Sequence, residues 1–271
     1  MIHMKRTILI SIIYTLICSC LSGPPFYAPK VSSTQTTKAV TDYKHKKLVN
    51  YGVDALLISH NGYLISYDEE NLIPHWVSYT LSSCNVISTP PPSKPNFQQD
   101  PKCIDKKQAD YSDYKKSGWS RGHMAPAADF KWSVQAYEET YVYTNCCPQN
   151  AELNNGSWNI LENRIRKWAL EYGEIDIVTG PIIGDNHFGA LGKSRVTIPN
   201  SFFKAVLVKV DGNESCVGFV MNNTTEKQSL LDSFVSINKL ESITSIDFFP
   251  EIDDNNEDVI ESIVDRSIWH F

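Results

Sequence analysis

The sequence lacks several features that identify a class of protein quickly. No two of its seven cysteines are spaced as Cys-X-X-Cys, which argues against a structural zinc site. No internal repeat is apparent, so a solenoid or a propeller is not indicated. No apolar stretch reaches the roughly 20 residues that a membrane-spanning helix needs. A net charge of -6 argues against a protein that binds nucleic acid through a basic surface all round.

The acidic charge is concentrated at the C-terminus. Residues 241–271 hold nine acidic side chains against Arg266 alone, so the rest of the chain is nearly balanced. A local basic patch is therefore compatible with this composition, and an enzyme that releases a charged product needs no more than a patch. The 271 residues, 42% of them hydrophobic, predict one folded domain over residues 46–271 that includes this acidic C-terminal region.

The N-terminus has the pattern of an export signal. In residues 1–22, Lys5 and Arg6 precede an apolar stretch of about eleven residues, which is too short to span a bilayer. Cys20 also resembles the acylated cysteine of bacterial lipoproteins, so a lipid anchor is the alternative to a removed signal. Residues 23–45 are rich in proline, serine and threonine and predict a linker. We therefore expect a secreted, periplasmic or cell-surface protein, since a mitochondrial leader would carry more arginines.

Export favours disulfide bonds among the cysteines of the folded domain. Cys84 and Cys103 flank a proline-rich stretch that a bridge between them would hold closed. Cys216 could pair with either Cys146 or Cys147, whereas a bridge between those two neighbours would strain the backbone. The connectivity is open at this point.

Short runs of β-branched and aromatic residues, separated by turn residues, predict antiparallel strands. The first three are Ala55–Ser59, Tyr63–Tyr67 and Trp76–Leu81, and a further strand is expected at Thr140–Thr144. Ile175–Thr179 is expected to stop at Gly180-Pro181. An Asp-Gly turn predicts that Phe203–Val210 and Cys216–Met221 form a hairpin.

Apolar spacing predicts two helices and leaves a third segment undecided. One helix follows Pro148 and carries Trp158, Leu161, Ile165 and Trp168 on one stripe. The second covers Val259–Ile268 and docks one face on the body. Leu230–Leu240 fits either a helix or a loop.

Residues 117–162 contain the side chains most suited to phosphodiester hydrolysis. His123 can accept a proton from water near neutral pH when its imidazole is uncharged. Arg121 would share its face in an extended segment and hold a phosphate, and Gly122 between them would let a backbone or a ligand approach closely.

Two further polar residues are expected on the helix that follows. Asn154 and Glu162 are eight positions apart, or roughly 12 Å along one continuous helix. An amide oxygen and a carboxylate suit Mg²⁺, which prefers oxygen ligands and keeps several waters. The alternative makes Glu162 a solvent-facing residue that pairs with Arg166 at i+4.

Two separated motifs carry a family resemblance. SDYKKSGWSRGHMAPAADFKWS, followed by TNCCPQNAELNNGSWNILENRIR, resembles the DNA/RNA non-specific endonucleases, a family that includes endonuclease G. The resemblance extends over about residues 45–250, through YGVDALLISHNGYLISYDEENLIPHWVSYTL and VTIPNSFFKAVLV. It implies an α+β fold whose central antiparallel sheet is flanked by helices, with a ββα-metal active site.

The resemblance also implies roles for individual residues. His123 corresponds to the general base, and Asn154 to the only direct protein ligand of Mg²⁺, for which Mn²⁺ is the alternative ion. Glu162 corresponds to the carboxylate bound to the metal's water shell, Arg121 to the arginine at the phosphoryl group, and Asn145 to an asparagine that positions the site. DNA and RNA would be cut to leave 5′-phosphates, and relatives are often homodimers.

The basic residues near these motifs are candidates for phosphate contacts. They are Lys115, Lys116, Arg164, Arg166 and Lys167. One departure from the family pattern is Ser120, which precedes Arg121 where the family usually has aspartate. A hydroxyl orients a guanidinium less strongly than a carboxylate does.

Two other functions compete with the nuclease. A nuclease-like module without activity would serve binding or structure, but His123, Asn154 and Glu162 are all present and favour an enzyme. An extracellular phosphodiesterase acting on small nucleotides would need a closed pocket, for which the sequence has no motif.

Overall fold

The computed structural model describes residues 45–50, 56–89, 94–103 and 105–270. The predicted export signal, Cys20 and nearly all of the predicted linker lie outside the described residues. In the described part, no helix is both long enough and apolar enough to traverse a bilayer.

A seven-stranded antiparallel sheet forms the centre of the molecule. In chain order the strands are β1 Val49–Asn50, β2 Leu56–His60, β3 Tyr63–Asp68, β4 Ile73–Ser82, β5 Ser120–His123, β6 Cys146–Gln149, β7 Glu174–Ile182, β8 Ala190–Leu191, β9 Val196–Thr197, β10 Ser201–Val210, β11 Asn213–Asn222, β12 Phe234–Val235 and β13 Asp247–Phe248. The central sheet has the order β12-β11-β10-β7-β4-β3-β2. The strand pairs β1 with β13, β5 with β6 and β8 with β9 form small separate sheets.

Helices cover both faces of the central sheet. They are α1 Ser83–Val86, α2 Tyr111–Tyr114, α3 Val134–Glu139, α4 Ala151–Asn155, α5 Ser157–Tyr172, α6 Ile237–Thr244 and α7 Asp254–Ser262. Helix α5 contacts β4, β7 and β10, whereas α6 and α7 contact β11. The predicted fold class, an α+β fold with a central antiparallel sheet between helices, is confirmed.

Strand β10 shows why the sheet needs cover on both faces. Phe202 and Val206 belong to the core layer that includes Trp158 of α5, while Phe203 and Ala205 belong to the layer that includes α6. Successive side chains of a strand point to opposite faces, so an apolar strand such as this one is stable only between two layers. The apolar run in the sequence therefore reflects two cores rather than one.

The predicted hairpin at Asp211-Gly212 is confirmed. Strands β10 and β11 pair from Ser201↔Asn222 to Val210↔Asn213. Asp211 and Gly212 have φ values of 51° and 85°, the positive values that a tight two-residue hairpin turn requires. The predicted strands before residue 82 are also present, as β2, β3 and β4.

Two strand predictions are wrong in detail. Strand β7 does not stop at Gly180-Pro181 but continues to Ile182, because Pro181 faces Phe202 of β10 in the ladder. Thr140–Thr144 does not form a strand. Val142 makes an isolated parallel bridge to Gln98, and a 3₁₀ turn over Tyr143–Asn145 follows.

The helices also differ from the predictions. The helix after Pro148 is interrupted at Gly156 between α4 and α5, where the Gly156 amide bonds to Leu153 and ψ is -108°. Within Leu230–Leu240, a 3₁₀ turn and β12 precede α6, so both alternatives occur. The C-terminal helix α7 begins earlier than predicted and leaves Val259 exposed. Trp269, beyond this helix, is buried against Trp168.

The structure contradicts the predicted disulfide bonds. Cys103, Cys146, Cys147 and Cys216 carry free thiols, so neither the bridge from Cys84 to Cys103 nor a bridge from Cys216 is formed. Burial raises the pKa of the Cys146 thiol to about 12, although Tyr114 and Arg121 oppose that shift. These buried thiols pack in the core as small apolar side chains.

Candidate active site

The hairpin of β5 and β6 places Arg121 and His123 at one cavity. His123 pairs with Cys146 and Arg121 with Pro148 in the antiparallel ladder. Because residues two apart in a strand share a face, both side chains face the same space, as the sequence predicted. The cavity has a volume of about 630 Å³ and is lined by Lys94, Phe97, Tyr111, Tyr114, Lys115, Lys116, Trp119, Ser120, Arg121, His123 and Asn154.

Gly122, between the two, packs on the other face of the hairpin. A Cβ atom at Gly122 would lie 2.6 Å from the Cβ atom of Gln149 and closer still to that side chain's Oε1. Glycine is therefore required so that the Gln149 side chain can cross the back of β5. The close approach that the sequence predicted at Gly122 is to the protein's own side chain.

The surroundings of His123 keep its imidazole uncharged. Its ring lies 4.8 Å from that of Phe97 and 4.8 Å from that of Tyr141, between centroids. The Nε2 atom is buried and has no hydrogen-bond partner in the part of the chain that the structure describes. Burial, together with the positive charges of Lys94 and Arg121, lowers the pKa of His123 from 6.5 to about 3. A neutral imidazole with a vacant nitrogen is chemically able to accept a proton.

Phe97 also orients Arg121. The Arg121 guanidinium carbon lies 5.0 Å from the centroid of the Phe97 ring, a cation-π distance. Ser120 lines the same cavity. The family's usual aspartate is absent at position 120, and in this chain an aromatic face rather than a carboxylate contacts the guanidinium.

Asn145 holds the segment that follows His123. Its Nδ2 donates to the carbonyl oxygens of Ala125 and Thr140, and its Oδ1 accepts from the Ala125 amide at 2.9 Å. All these groups are buried, and the Met124 amide donates to the Asn145 carbonyl at 3.0 Å. Asn145 is thus an interior clamp near the cavity and does not line it.

Asn154 is the residue of α4 that lines the cavity. Its backbone amide donates to Asn150, which caps the helix by accepting from Glu152. Among the described residues, its side-chain amide makes no hydrogen bond. The amide oxygen is therefore available to a ligand in the same space as His123 and Arg121.

Glu162 lies in an interior network of charges and does not line this cavity. One of its carboxylate oxygens is 3.6 Å from Arg166 and the other is 4.0 Å from the Lys204 ammonium of β10. Arg166 also donates to Asp129 at 2.5 Å. Burial raises the pKa of the Glu162 carboxyl, while Lys204 and Arg166 oppose that shift.

Two expectations about Glu162 change. The i+4 pairing of Glu162 with Arg166 exists, but it is largely buried instead of facing solvent. The 12 Å separation from Asn154 assumed one continuous helix, and the break at Gly156 removes that basis. Lys204 was not predicted, although one lysine within the apolar run SFFKAVLV indicates a buried acidic partner.

The predicted phosphate-binding residues separate into two groups. Lys115 and Lys116 line the cavity together with Lys94, which the sequence did not indicate. Arg166 is engaged by Asp129 and Glu162. Arg164 and Lys167 lie on α5 and are not among the residues that line the cavity.

A buried histidine cluster anchors the loop that carries Lys94 and Phe97. His60 Nε2 lies 2.9 Å from Asp100 Oδ2, and His60 Nδ1 lies 3.4 Å from Glu139 Oε2. Asp100 also accepts from the Thr144 hydroxyl, and its amide donates to Gln108 at 2.6 Å. Backbone bonds from Gln98 to Tyr141 and from Tyr143 to Gln98 complete the anchor. The loop is therefore fixed against the segment before Asn145.

Comparison with known proteins decides the family. Residues 44–255 match the family model described as DNA/RNA non-specific endonuclease. The chain belongs to the DNA/RNA non-specific endonuclease family. The family that the sequence predicted is confirmed, and membership of it implies a divalent metal ion.

Individual relatives agree with this assignment. The chain is 33% identical over 207 residues to the protein named "Nuclease EXOG, mitochondrial" from Danio rerio, a match that covers 71% of this chain and 60% of that protein. It is 29% identical over 220 residues to human "Endonuclease G, mitochondrial", covering 76% and 74%. A solved structure of an EndoG/EndoGI complex superimposes with a TM-score of 0.68 at 27% identity, over 81% of this chain and 95% of that one.

The predicted secreted, periplasmic or cell-surface location is wrong by the same comparison. Similar proteins from animals and from Schizosaccharomyces pombe are named as mitochondrial nucleases. A charged start followed by an apolar stretch, as in residues 1–22, is not unique to exported proteins.

The donor groups in the cavity fit a family of metal-dependent nucleases. No cluster of three His, Cys, Asp or Glu side chains that could hold a metal occurs in the described ranges. The cavity does contain the unbonded amide of Asn154, a neutral oxygen donor. A cation held by one protein oxygen keeps most of its waters, as Mg²⁺ does readily.

Proposed function

We propose that this protein is a metal-dependent endonuclease that hydrolyses phosphodiester bonds of DNA and RNA with little base preference. One observation carries the proposal: uncharged His123, the guanidinium of Arg121 and the unbonded amide of Asn154 line the same cavity. Lys94, Lys115 and Lys116 in that cavity would attract phosphates without regard to base sequence.

The proposed chemistry assigns a separate task to each side chain. His123 accepts a proton from water at Nε2, and that water attacks the phosphorus in line with the departing 3′ oxygen. Arg121 shares the negative charge on the phosphoryl oxygens. The bond from phosphorus to the 3′ oxygen breaks and that oxygen takes a proton from solvent, which gives a 5′-phosphate and a free 3′-hydroxyl, as the family resemblance implies.

Asn154 would hold the metal through its amide oxygen. When bound, the cation would supply positive charge at the phosphoryl and leaving oxygens. We propose Mg²⁺ because the donor is a neutral oxygen that leaves room for waters, with Mn²⁺ as the alternative. Glu162 keeps its proposed role at the metal's water shell, acting as a positioning residue through its network with Arg166 and Lys204.

We also propose a mitochondrial location. The names of the relatives support it, and the free thiols of Cys103, Cys146, Cys147 and Cys216 suit a compartment that keeps cysteines reduced. Fractionation of cells that express the full chain would test it, with recovery in the culture medium as the contrary result. A homodimer is a further prediction that sedimentation of the same protein would test.

Cleavage of plasmid DNA and of RNA by the purified full chain tests the proposed function. We expect cleavage of both polymers with Mg²⁺ and none after EDTA. His123→Ala should reduce the rate by about 10²- to 10⁴-fold, the usual contribution of a general base. The exposed residue His75 of β4, which does not line the cavity, provides the matched control His75→Ala.

Four outcomes would contradict the proposal. Activity that persists in EDTA would exclude metal dependence, and activity retained by His123→Ala would remove the assigned base. Absence of cleavage by a folded wild-type protein on either polymer would support the inactive nuclease-like module instead. Cleavage of a dinucleotide but not of long RNA would support the small-nucleotide phosphodiesterase.

A further inference from the structure

Aromatic side chains are exposed around the cavity. Tyr111 is 58% exposed and Phe188 is 51% exposed. Trp119 is half-buried and lines the cavity, and its ring centroid lies 6.1 Å from that of Phe188. We call Tyr111, Trp119 and Phe188 the aromatic rim. Leaving such rings in water forgoes stabilisation of about 1.5–3 kcal/mol each, so their grouping beside a charged cavity indicates a binding surface.

The loop that carries Phe188 is held in place by hydrogen bonds. Asn200 Oδ1 accepts from the Gly184 amide at 2.7 Å, and Asn200 Nδ2 donates to the Asn186 carbonyl. The Ile198 amide donates to the Gly189 carbonyl at 2.9 Å, and the Gly189 amide donates to His187 Nδ1. Phe188 is therefore presented at the rim by an ordered loop, which lowers the entropy lost on binding.

Positive charge lines the cavity beside the aromatic rim. The Lys115 ammonium lies 5.5 Å from the centroid of the Tyr111 ring, and Lys94 and Lys116 line the cavity with it. The chain as a whole is acidic, with a net charge of -6, so this concentration of lysines is local. A basic groove combined with exposed aromatic rings is the combination that binds single-stranded nucleic acid.

We propose that the aromatic rim is a base-stacking subsite, at which Trp119 and Phe188 stack on an unpaired nucleobase next to the phosphate held in the cavity. The occupant is a nucleotide of single-stranded DNA or of RNA, since both present the same π-face. This inference rests on the proposed function and adds a preference to it. A base in a duplex is stacked on both sides, and exposing it costs a few kcal/mol, so duplex DNA binds without using the rim.

The test measures binding with EDTA present, so that cleavage does not affect it. Fluorescence anisotropy would compare three labelled probes: a short oligothymidylate, an abasic oligonucleotide of the same length, and a duplex. Wild-type protein should bind the oligothymidylate more tightly than the abasic probe. Phe188→Ala should weaken binding of the oligothymidylate by about 5- to 100-fold, the range for loss of one stacked base. It should change binding of the abasic probe and the duplex less than twofold.

Two further variants separate stacking from general effects. Phe188→Tyr keeps the ring and should restore most of the binding. Leu231→Ala removes a side chain that is 55% exposed outside the rim and should change nothing. Equal weakening of all three probes by Phe188→Ala, or none, would overturn the subsite and leave the nuclease proposal standing. Failure of the wild type to bind any probe would overturn both.

Discussion

Two histidines of this protein have charged neighbours of opposite sign, negative at His60 and positive at His123. His60 has two carboxylates beside it, Asp100 at 2.9 Å and Glu139 at 3.4 Å. His123 has the cations Lys94 and Arg121 near it, and aromatic rings against its faces. Burial alone would lower the pKa of both. The hydrogen bond of His60 to Asp100 and its close contact with Glu139 reverse that effect and raise its pKa, whereas the pKa of His123 falls to about 3.

The difference teaches what each cluster is suited to do. A histidine whose pKa is raised by two neighbouring carboxylates joins parts of the fold, and here it joins β2 to the loop of Lys94 and to the end of α3. A histidine that is held neutral, with a buried nitrogen left unbonded, can take part in proton transfer. Residues of the cavity should therefore govern cleavage, and residues of the His60 cluster should govern stability.

The largest expected effect is on cleavage, from a cavity residue. Asn154→Ala removes the only proposed protein ligand of the metal and should lower the cleavage rate by about 100-fold or more, because the cation contributes several kcal/mol. The unfolding free energy in urea should not change, since the side chain makes no hydrogen bond. Asn155→Ala, at the exposed neighbouring position, is the control. A large loss of stability in Asn154→Ala would contradict the assignment of cleavage to the cavity and of stability to the His60 cluster.

The second largest expected effect is a loss of stability when a residue of the His60 cluster is replaced. Asp100→Ala leaves a buried histidine with one carboxylate and should cost about 3–5 kcal/mol of unfolding free energy, the usual result of breaking a buried ion pair. Asp105→Ala, at an exposed position of the same loop, should cost little. Urea denaturation measures both variants. The comparison fails if Asp100→Ala is as stable as the wild type.

The smallest effect concerns pH, and its sign differs between the two histidines. The raised pKa of His60 stabilises the fold fully below 6.5, and this contribution is lost as pH rises through the raised value. For His123, the unfolded chain binds a proton near 6.5 and the folded protein only near 3, so stability falls as pH drops across that interval.

Unfolding free energies at several pH values would measure this contrast. Lowering the pH should widen the stability difference between the wild type and His60→Gln, and it should shift the difference for His123→Gln in the opposite direction. The pKa of Glu139 falls to about 2, despite burial, because His60 and the Asn61 amide bond to it. Its contribution is present above 4.5 and is lost toward pH 2, below the range that separates the histidines. Parallel pH slopes for the two variants would contradict the assignment.

Much of this fold follows from local sequence signals. Asp211-Gly212 specifies its hairpin because only a few residue types accept two successive positive φ values. The placement of Arg121 and His123 on one face follows from the two-residue period of a strand. The family motifs locate Asn154 beside them. Each of these inferences uses residues that are near one another in the chain.

The predictions that failed concern features whose conformation or partners depend on residues that are distant in the chain. Thr140–Thr144 has the composition of a strand but is held in another conformation by Gln98 and the Asn145 side chain. The partners of Glu162 include Lys204, from a strand 42 positions later. Lys94 and Phe97 lie in a proline-rich loop without periodicity, and their position against His123 depends on the contacts of Asp100 and the backbone bonds of Gln98, whose partners are distant in the chain. The cysteine pairings assumed a compartment that the relatives do not share.

The contact between Gly122 and Gln149 restricts how this hairpin can vary. With Gln149 across the back of β5, position 122 admits hydrogen as its only side chain. If position 122 alone were randomised and folded variants were selected, we expect only glycine to be recovered there. Other amino acids can occupy position 122 only if a smaller side chain replaces Gln149 in the same variant. Directed evolution would therefore have to vary the two positions together.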